Sequence, residues 1–192
     1  MSFVNLVSGG LDSTLIGVIA KEEDTEQFPL FIDYGQRAAE IEWSTCQTVH
    51  RKLNLPIPLK MDLSGFGRII ISGLTNPNID VKNAFTPGRN LLFLLIGSAY
   101  AYQVGATTVA IGLLSERFSL FPDQKSTFIM QAESAIQAAL GRYIKIVTPL
   151  YDFSKADVIK LASIKGVTGT YSCHCGDLNP CGYCISCLEY KD

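Results

Sequence analysis

The sequence predicts an α/β fold, a five-stranded parallel sheet with helices on both faces and a cysteine-rich tail at the C-terminal end. Three observations predict it. Short apolar runs alternate with segments of helical period along the chain, which is the pattern of successive βα units. The first apolar run turns through two glycines straight into a helix start, Ser8-Gly9-Gly10-Leu11-Asp12-Ser13-Thr14. Five of the six cysteines fall between Cys173 and Cys187.

The chain has 192 residues, enough for one domain with a full core, and its 47% apolar content argues against disorder. Residues 1–167 are expected to form the α/β domain and 168–192 a tail packed on it. A net charge of −2 gives no basic excess for wrapping nucleic acid. The first residues lack the basic and long apolar regions of a signal peptide. The longest apolar run, Leu91 to Ile96, is far too short to span a bilayer, so no membrane partner is expected and the cytosol is the expected compartment.

Taken in order, Phe3 to Val7 reads as a buried strand. Leu15, Ile16, Val18 and Ile19 give the following helix an apolar face. Glycines between a strand and a helix N-terminus make an anion site, because free N–H groups and the helix dipole point outward there. Ser8, Ser13 and Thr14 add hydroxyls, and Asp12 either holds Mg²⁺ or fixes the loop. No Gly-Lys-Ser/Thr and no G-x-G-x-x-G is present, which excludes the Walker A and dinucleotide patterns. Pro29 to Asp33 reads as the second strand. It delivers Asp33, Tyr34, Gly35, Gln36 and Arg37 to the same sheet edge as the glycine loop.

A helix is expected from about Ala38 to Leu53, with Trp43 and Cys46 as packing residues and His50 at the surface or satisfied in the core. Pro56 to Asp62 reads as the third strand. From Ser64 to Pro87 the pattern fades, apart from a short helix around Phe66 to Ile71, and such a loop is usually a lid or a binding loop. Leu91 to Val104 reads as a buried helix with Arg89 and Asn90 in its first turn. A cation there opposes the dipole, which points to a bound anion at Arg89. Thr107 to Gly112 is the fourth strand, followed by a loop carrying Glu116, Arg117, Phe118, Phe121, Pro122 and Asp123. Lys125 to Leu140 is a helix and Ile144 to Val147 the fifth strand. Ser154 caps a last helix whose Lys155 is either a binding lysine or a surface residue.

The tail spaces Cys173, Cys181, Cys184 and Cys187 as C-x7-C-x2-C-x2-C. Two x2 steps place three thiolates on one knuckle and the longer loop returns the fourth, which suits a closed, structural tetrahedral Zn²⁺. Cys175 is one thiol too many and can replace Cys173, and an iron–sulfur cluster is the weaker alternative.

The segment SGGLDS resembles the PP-loop of the N-type ATP pyrophosphatases. The whole set is similar to the 7-cyano-7-deazaguanine synthase (QueC) family: SGGLDST at Ser8 to Thr14, DYGQR at Asp33 to Arg37, Ser72-Gly73-Leu74-Thr75, PGRNLLF at Pro87 to Phe93, Phe121-Pro122-Asp123, Pro149-Leu150 with Lys155, and the cysteine tail. The resemblance runs along nearly the whole chain. It implies a Rossmann-like, HUP-type PP-loop fold with a zinc tail, often dimeric. The implied cofactors are ATP, Mg²⁺ and structural Zn²⁺. The implied reaction is adenylation of the carboxylate of 7-carboxy-7-deazaguanine, attack by ammonia to give an amide, and a second activation to the nitrile. It also implies catalytic roles for Asp12, Ser13, Arg89, Asp123 and Lys155. Nucleotide contacts are implied at Ser8 to Thr14, Asp33, Tyr34, Gln36, Arg37, Arg89 and Asn90. Arg117, Phe118 and Phe121 are expected to meet the substrate, the two phenylalanines by stacking on the flat deazapurine.

Two departures stand out. The family's DYGQRH is DYGQRA here, with Ala38 in place of histidine. Its loop T-D-[FY]-S-G-Y-P-D-C-R is Glu116-Arg117-Phe118-Ser119-Leu120-Phe121-Pro122-Asp123-Gln124-Lys125 here, so that an Asp has become Arg117. QueC-like proteins also occur in antiviral clusters of the type IV CBASS kind, for which the resemblance would imply joining the deazapurine to an amine of a partner protein. A non-catalytic nucleotide sensor and a tRNA-modifying or sulfur-transferring enzyme are the remaining alternatives.

Overall fold

The computed structural model describes residues 2–190, except for the side chain of Phe118. The strands are β1 (Ser2–Val7), β2 (Glu26–Asp33), β3 (Leu59–Asp62), β4 (Thr108–Ala110) and β5 (Lys145–Val147). They form one sheet in the order β3-β2-β1-β4-β5, and every neighbouring pair is parallel. The expected five-stranded parallel sheet is therefore present. The helices are α1 (Leu11–Glu22), α2 (Ala39–Lys52), α3 (Gly65–Ile69), α4 (Arg89–Val104), α5 (Ser126–Leu140), α6 (Lys155–Ile164) and α7 (Ile185–Leu188).

Alternation along β1 divides the core between two faces. Val4 and Leu6 join Leu94 and Ala101 of α4 and Ala132 and Ile136 of α5. Phe3 points the other way, into a layer with Leu15 and Ile16 of α1 and Val158 and Ala162 of α6. Val7 meets Phe31, Cys46 and Trp43 on that second side, so α2 is held there by its own packing residues. His50 is in the core, 1% exposed, and its Nδ1 lies 2.6 Å from the Pro56 carbonyl oxygen. Buried polar groups tie the sheet to α1: Asn5 Nδ2 donates to the Ser13 carbonyl at 3.2 Å and Gln27 Nε2 to that of Gly17 at 2.9 Å.

Strand ends differ from expectation for reasons of proline chemistry. β2 starts at Glu26 rather than Pro29, because its pairing with β3 begins only at Leu30, so Pro29 has no ladder to interrupt on that side. β3 is shortened to Leu59–Asp62, since Pro56 and Pro58 keep the preceding residues out of the ladder. β4 is confined to Thr108–Ala110. The helix expected near Phe66 to Ile71 is α3, one turn at Gly65–Ile69. The segment after it is anchored: the Ser72 and Thr86 hydroxyls are 2.7 Å apart, and Leu74, Val81 and Ala84 bury themselves against Cys173, Cys175 and Cys184. Ser154 caps α6, its Oγ accepting from Asp157 N at 3.2 Å. Among the described residues no helix is long and apolar enough to cross a membrane.

Sheet order reverses at β1, with β2 and β3 on one side and β4 and β5 on the other. That places a crevice beyond the carboxyl ends of β1 and β4, where open α/β sheets bind ligands. Leu94 is fully buried between α4 and the sheet. Leu94→Ala is expected to cost about 2–5 kcal/mol, read as a fall in the denaturant midpoint; an unchanged midpoint would contradict this core assignment.

Candidate active site

The crevice holds a cavity of about 320 Å³. Its floor is the β1–α1 turn: Ser8, Gly10, Leu11, Asp12 and Ser13 all line it. No side chain caps α1, so its first-turn N–H groups remain for a ligand. The Ser8 hydroxyl accepts from Gly10 N at 3.2 Å and lies 3.4 Å from Ser13 Oγ, which sets both hydroxyls at the turn. Gly9 has φ +78°, and a Cβ there would lie 2.6 Å from the Glu42 carbonyl oxygen. Its lack of a side chain thus lets α2 approach the loop. Thr14 is turned inward, its Oγ1 donating to the Gly10 carbonyl at 2.7 Å.

One wall comes from the residues after β2 and from the start of α4. The Arg89 guanidinium lies 5.9 Å from the ring centres of both Tyr34 and Phe93, a cation–π seat that aims it into the cavity. Asn90 is buried and donates from Nδ2 to the Asp123 carbonyl at 2.9 Å. Gln36 accepts from Tyr34 N at 2.9 Å through Oε1 and donates to Glu42 Oε2 at 2.9 Å. Burial pushes the Glu42 carboxyl up to about 7, against the pull of the Gln36 hydrogen bond and the Arg89 charge. Burial also raises the Tyr34 phenol, partly offset by Arg89.

The opposite wall brings in α6 and the tail. Lys155 Nζ lies 2.9 Å from Asp12 Oδ1 and 3.5 Å from Glu189 Oε2, and it sits 5.1 Å from the Tyr190 ring centre. Burial works against the charge of Lys155, but Asp12, Tyr190 and Glu189 outweigh it and hold the ammonium above the ordinary lysine range. Lys155 is therefore a cavity residue. The tail reaches the loop itself, with Tyr171 N donating to the Gly9 carbonyl at 3.0 Å. His174 lines the cavity too; burial and the Arg89 charge hold it neutral, at about 4.

Several expected residues stand elsewhere. Asp33 makes an ion pair with Lys60 at 2.8 Å and accepts from Gly35 N at 3.1 Å, bracing the loop behind the wall. Arg37 turns toward the 72–75 segment, donating from Nη1 to the Gly73 carbonyl at 3.4 Å. Asp123 reaches the site through its carbonyl on Asn90, while its own Oδ1 is buried without a partner among the described residues. Phe121 lines the cavity and stacks at 5.3 Å on Phe85. Arg117 does not line the cavity. The Glu116 carboxylate accepts from Tyr151 at 2.9 Å and Ser126 at 3.1 Å, which fixes a short turn that leaves Arg117 exposed beside Ser115, Asp152, Ser154 and Asp157 in a separate hollow. The Phe118 side chain lies outside the described residues.

The cysteines converge as a group. The Sγ atoms of Cys173, Cys181, Cys184 and Cys187 lie within 4.8 Å of one another, with Cys181 and Cys187 3.9 Å apart. Four thiolates about 2.3 Å from one tetrahedral ion would sit about 3.8 Å apart, so the cluster fits a closed metal site. Cys175 lies outside it, its thiol 3.6 Å from the Tyr183 hydroxyl. Backbone N–H groups point at the sulfurs, Cys181 N at Cys173 and Cys184 N at Cys181, both at 3.3 Å. Burial opposes ionisation of Cys181, but the Tyr183 and Cys184 N–H groups and the neighbouring thiols hold it at about 6. Gly176 lets the knuckle close on the main domain, since a Cβ there would lie 2.6 Å from the Arg37 carbonyl oxygen.

Ser172, next to Cys173 in the tail motif, lines the cavity, as do Glu42, Tyr171, His174 and Glu189, which belong to none of the motifs above. For Glu42 a signal existed, because an acidic residue on the apolar side of a helix that follows a binding loop is out of place there. The tail residues carried none, since nothing local shows that a metal knuckle folds back over a distant loop.

The family model described as "Queuosine biosynthesis protein QueC" matches residues 2–192. The 7-cyano-7-deazaguanine synthase of Campylobacter curvus (strain 525.92) is 34% identical over 197 residues, covering 96% of this chain and 88% of that protein. The enzyme of the same name from Prochlorococcus marinus (strain AS9601) is 33% identical, covering 97% of this chain and 90% of that protein. Among solved structures, a 4-thiouridine synthetase–RNA complex with bound ATP superposes with a TM-score of 0.60 at 18% identity. It covers 99% of this chain, which spans about half, 49%, of that longer chain. NMN synthetase from Francisella tularensis superposes with a TM-score of 0.52 at 14% identity, covering 92% of this chain and 68% of that one. At such identities the two structures speak for the fold alone. The match to the family model from end to end, together with the two synthases, establishes that the chain belongs to the QueC family of PP-loop enzymes.

Proposed function

We propose that this chain activates the carboxylate of 7-carboxy-7-deazaguanine with ATP and passes the acyl group to a nitrogen nucleophile, giving an amide and, by a second activation, the nitrile 7-cyano-7-deazaguanine. The observation that carries the reading is convergence. An uncapped helix N-terminus, the Arg89 guanidinium and Lys155 meet in one cavity that also has aromatic walls. A carboxylate is a poor electrophile until its oxygen becomes part of a leaving group. Its oxygen attacks the α-phosphorus, the bond to the β-phosphate oxygen breaks, and pyrophosphate departs onto donors already in place.

In this reading the Ser8–Thr14 turn holds the pyrophosphate, with the Ser8 and Ser13 hydroxyls and the first N–H groups of α1 as donors. Asp12 is the carboxylate that would hold Mg²⁺, which supplies charge neutralisation to the polyphosphate when bound. Lys155, held between Asp12 and Glu189, presents its ammonium to the phosphates. Arg89 meets the α-phosphate or the substrate carboxylate, and Asn90, fixed by the Asp123 carbonyl, holds the start of α4 in place. Tyr34 and Gln36 shape the wall, with Asp33 and Arg37 as braces behind it. Phe121 offers its ring to the deazapurine. Arg117 is assigned no contact with substrate. Residues 168–190 act as a knuckle closed by structural Zn²⁺ on Cys173, Cys181, Cys184 and Cys187.

A second reading, in which an amine of a partner protein is the acceptor, is favoured by Leu120, which lines the cavity mouth and is 61% exposed.

Mass spectrometry of a reaction with ATP, Mg²⁺, 7-carboxy-7-deazaguanine and ammonium, with and without candidate protein acceptors, tests both. AMP with an amide or nitrile supports the first reading, and a deazapurine mass added to a protein supports the second. No AMP above the substrate-free control would overturn both and favour a nucleotide sensor. Asp12→Ala and Ser13→Ala are each expected to lower AMP formation by ~100-fold or more while leaving the circular dichroism spectrum unchanged; full activity in both would sink the phosphate-site assignment. Cys184→Ser is expected to release metal and lower Tm, whereas unchanged metal content and Tm would reject the structural-zinc assignment.

A further inference from the structure

We infer that Glu42 is the group that takes the proton from the attacking nitrogen when the activated carboxylate is converted to an amide. The inference rests on the adenylation chemistry proposed above and adds a catalytic residue to it.

Acyl transfer to nitrogen needs a proton acceptor. The lone pair of ammonia forms the C–N bond, the C–O bond to AMP breaks with its electron pair staying on the phosphate oxygen, and the nitrogen, now positively charged, must lose a proton to become an amide. Three carboxylates line the cavity: Asp12, Glu42 and Glu189. Asp12 and Glu189 are both occupied by Lys155, at 2.9 and 3.5 Å. Glu42 makes no ion pair among the described residues. One of its oxygens accepts from Gln36, and the other has no hydrogen-bond partner among the described residues.

Its place is also right. The Glu42 backbone abuts the phosphate loop, since its carbonyl oxygen is the atom a side chain on Gly9 would strike. Gln36, itself held by Tyr34 N, fixes the carboxylate from behind. The groups that face it are Arg89 from α4, Asp33 and Tyr34 from the end of β2, Tyr171 from the tail and Cys46 from its own helix. Arg89 is the one cation among them. Burial outweighs it, leaving a carboxyl that titrates at about 7, the range in which a general base is most effective. The deprotonated form acts, so the amide-forming step gains rate as pH rises through about 7 and loses it below.

The test compares two steps in the native protein, Glu42→Gln and Glu42→Asp, at a fixed concentration of free amine. Exchange of labelled pyrophosphate into ATP, dependent on 7-carboxy-7-deazaguanine, reports adenylation; amide formation reports acyl transfer. E42Q is expected to keep exchange within about twofold, to lose amide formation by ~100-fold or more, and to lose the rise through pH 7. E42D is expected to keep that rise at a reduced rate. Equal amide rates and pH profiles in E42Q and the native protein would overturn the role of Glu42 while leaving adenylation intact. A flat profile at full rate in E42D would overturn it as well. No exchange in the native protein would overturn the adenylation reading itself, and this inference with it.

Discussion

The turn at Gly9 is wedged between two distant parts of the chain, and the geometry of the site depends on that wedge. On one side α2 comes so close that a Cβ on Gly9 would lie 2.6 Å from the Glu42 carbonyl oxygen. On the other side Tyr171 N donates to the Gly9 carbonyl at 3.0 Å. A left-handed φ of +78° is what lets the backbone turn from β1 into α1 inside this gap. The helix N-terminus then opens into the crevice instead of toward neighbouring backbone. The same contact with α2 sets the Glu42 side chain beside the loop.

Charge follows from this arrangement. Two cations, Arg89 and Lys155, enter the cavity from opposite walls. Lys155 is neutralised by Asp12 and Glu189, and these ion pairs hold the cation of α6 at the loop. Arg89 is held by the rings of Tyr34 and Phe93 and by its Nε donating to Asn90 Oδ1 at 3.3 Å, which fixes the guanidinium at the cavity wall. The cysteine knuckle takes part in the same design, because α7 and the residues after it bring Glu189 and Tyr190 to Lys155. Leu74, Val81 and Ala84 bury against the knuckle, so a metal held by the four thiols would steady one wall of the cavity.

Much of the fold could be read from the sequence because βα alternation and periodicity are local signals. The sheet, its parallel sense, the Ser154 cap and the long helices all follow from neighbouring residues. The errors fall where distant contacts decide. Pro29 sits inside β2 because β3 pairs only further along, which no local pattern reveals. Arg117 sits outside the cavity because Glu116 is bonded to Tyr151 and Ser126, two residues remote from it in sequence. Gly9 was legible as a special backbone position, but the atom that makes it special belongs to α2. The Ser8–Thr14 turn, Arg89 and the cysteine spacing were legible since each carries its chemistry in its own few residues. Glu42 and the tail's share of the cavity were not, because their importance exists only once the chain has closed on itself.

Adenylation as proposed joins one oxygen of the substrate carboxylate to the α-phosphorus of ATP. Following ¹⁸O from a labelled carboxylate of 7-carboxy-7-deazaguanine tests it most directly. The expected result is AMP carrying one labelled oxygen for each amide formed, with none in pyrophosphate. Label in inorganic phosphate, or amide formed beside unlabelled AMP, would contradict it.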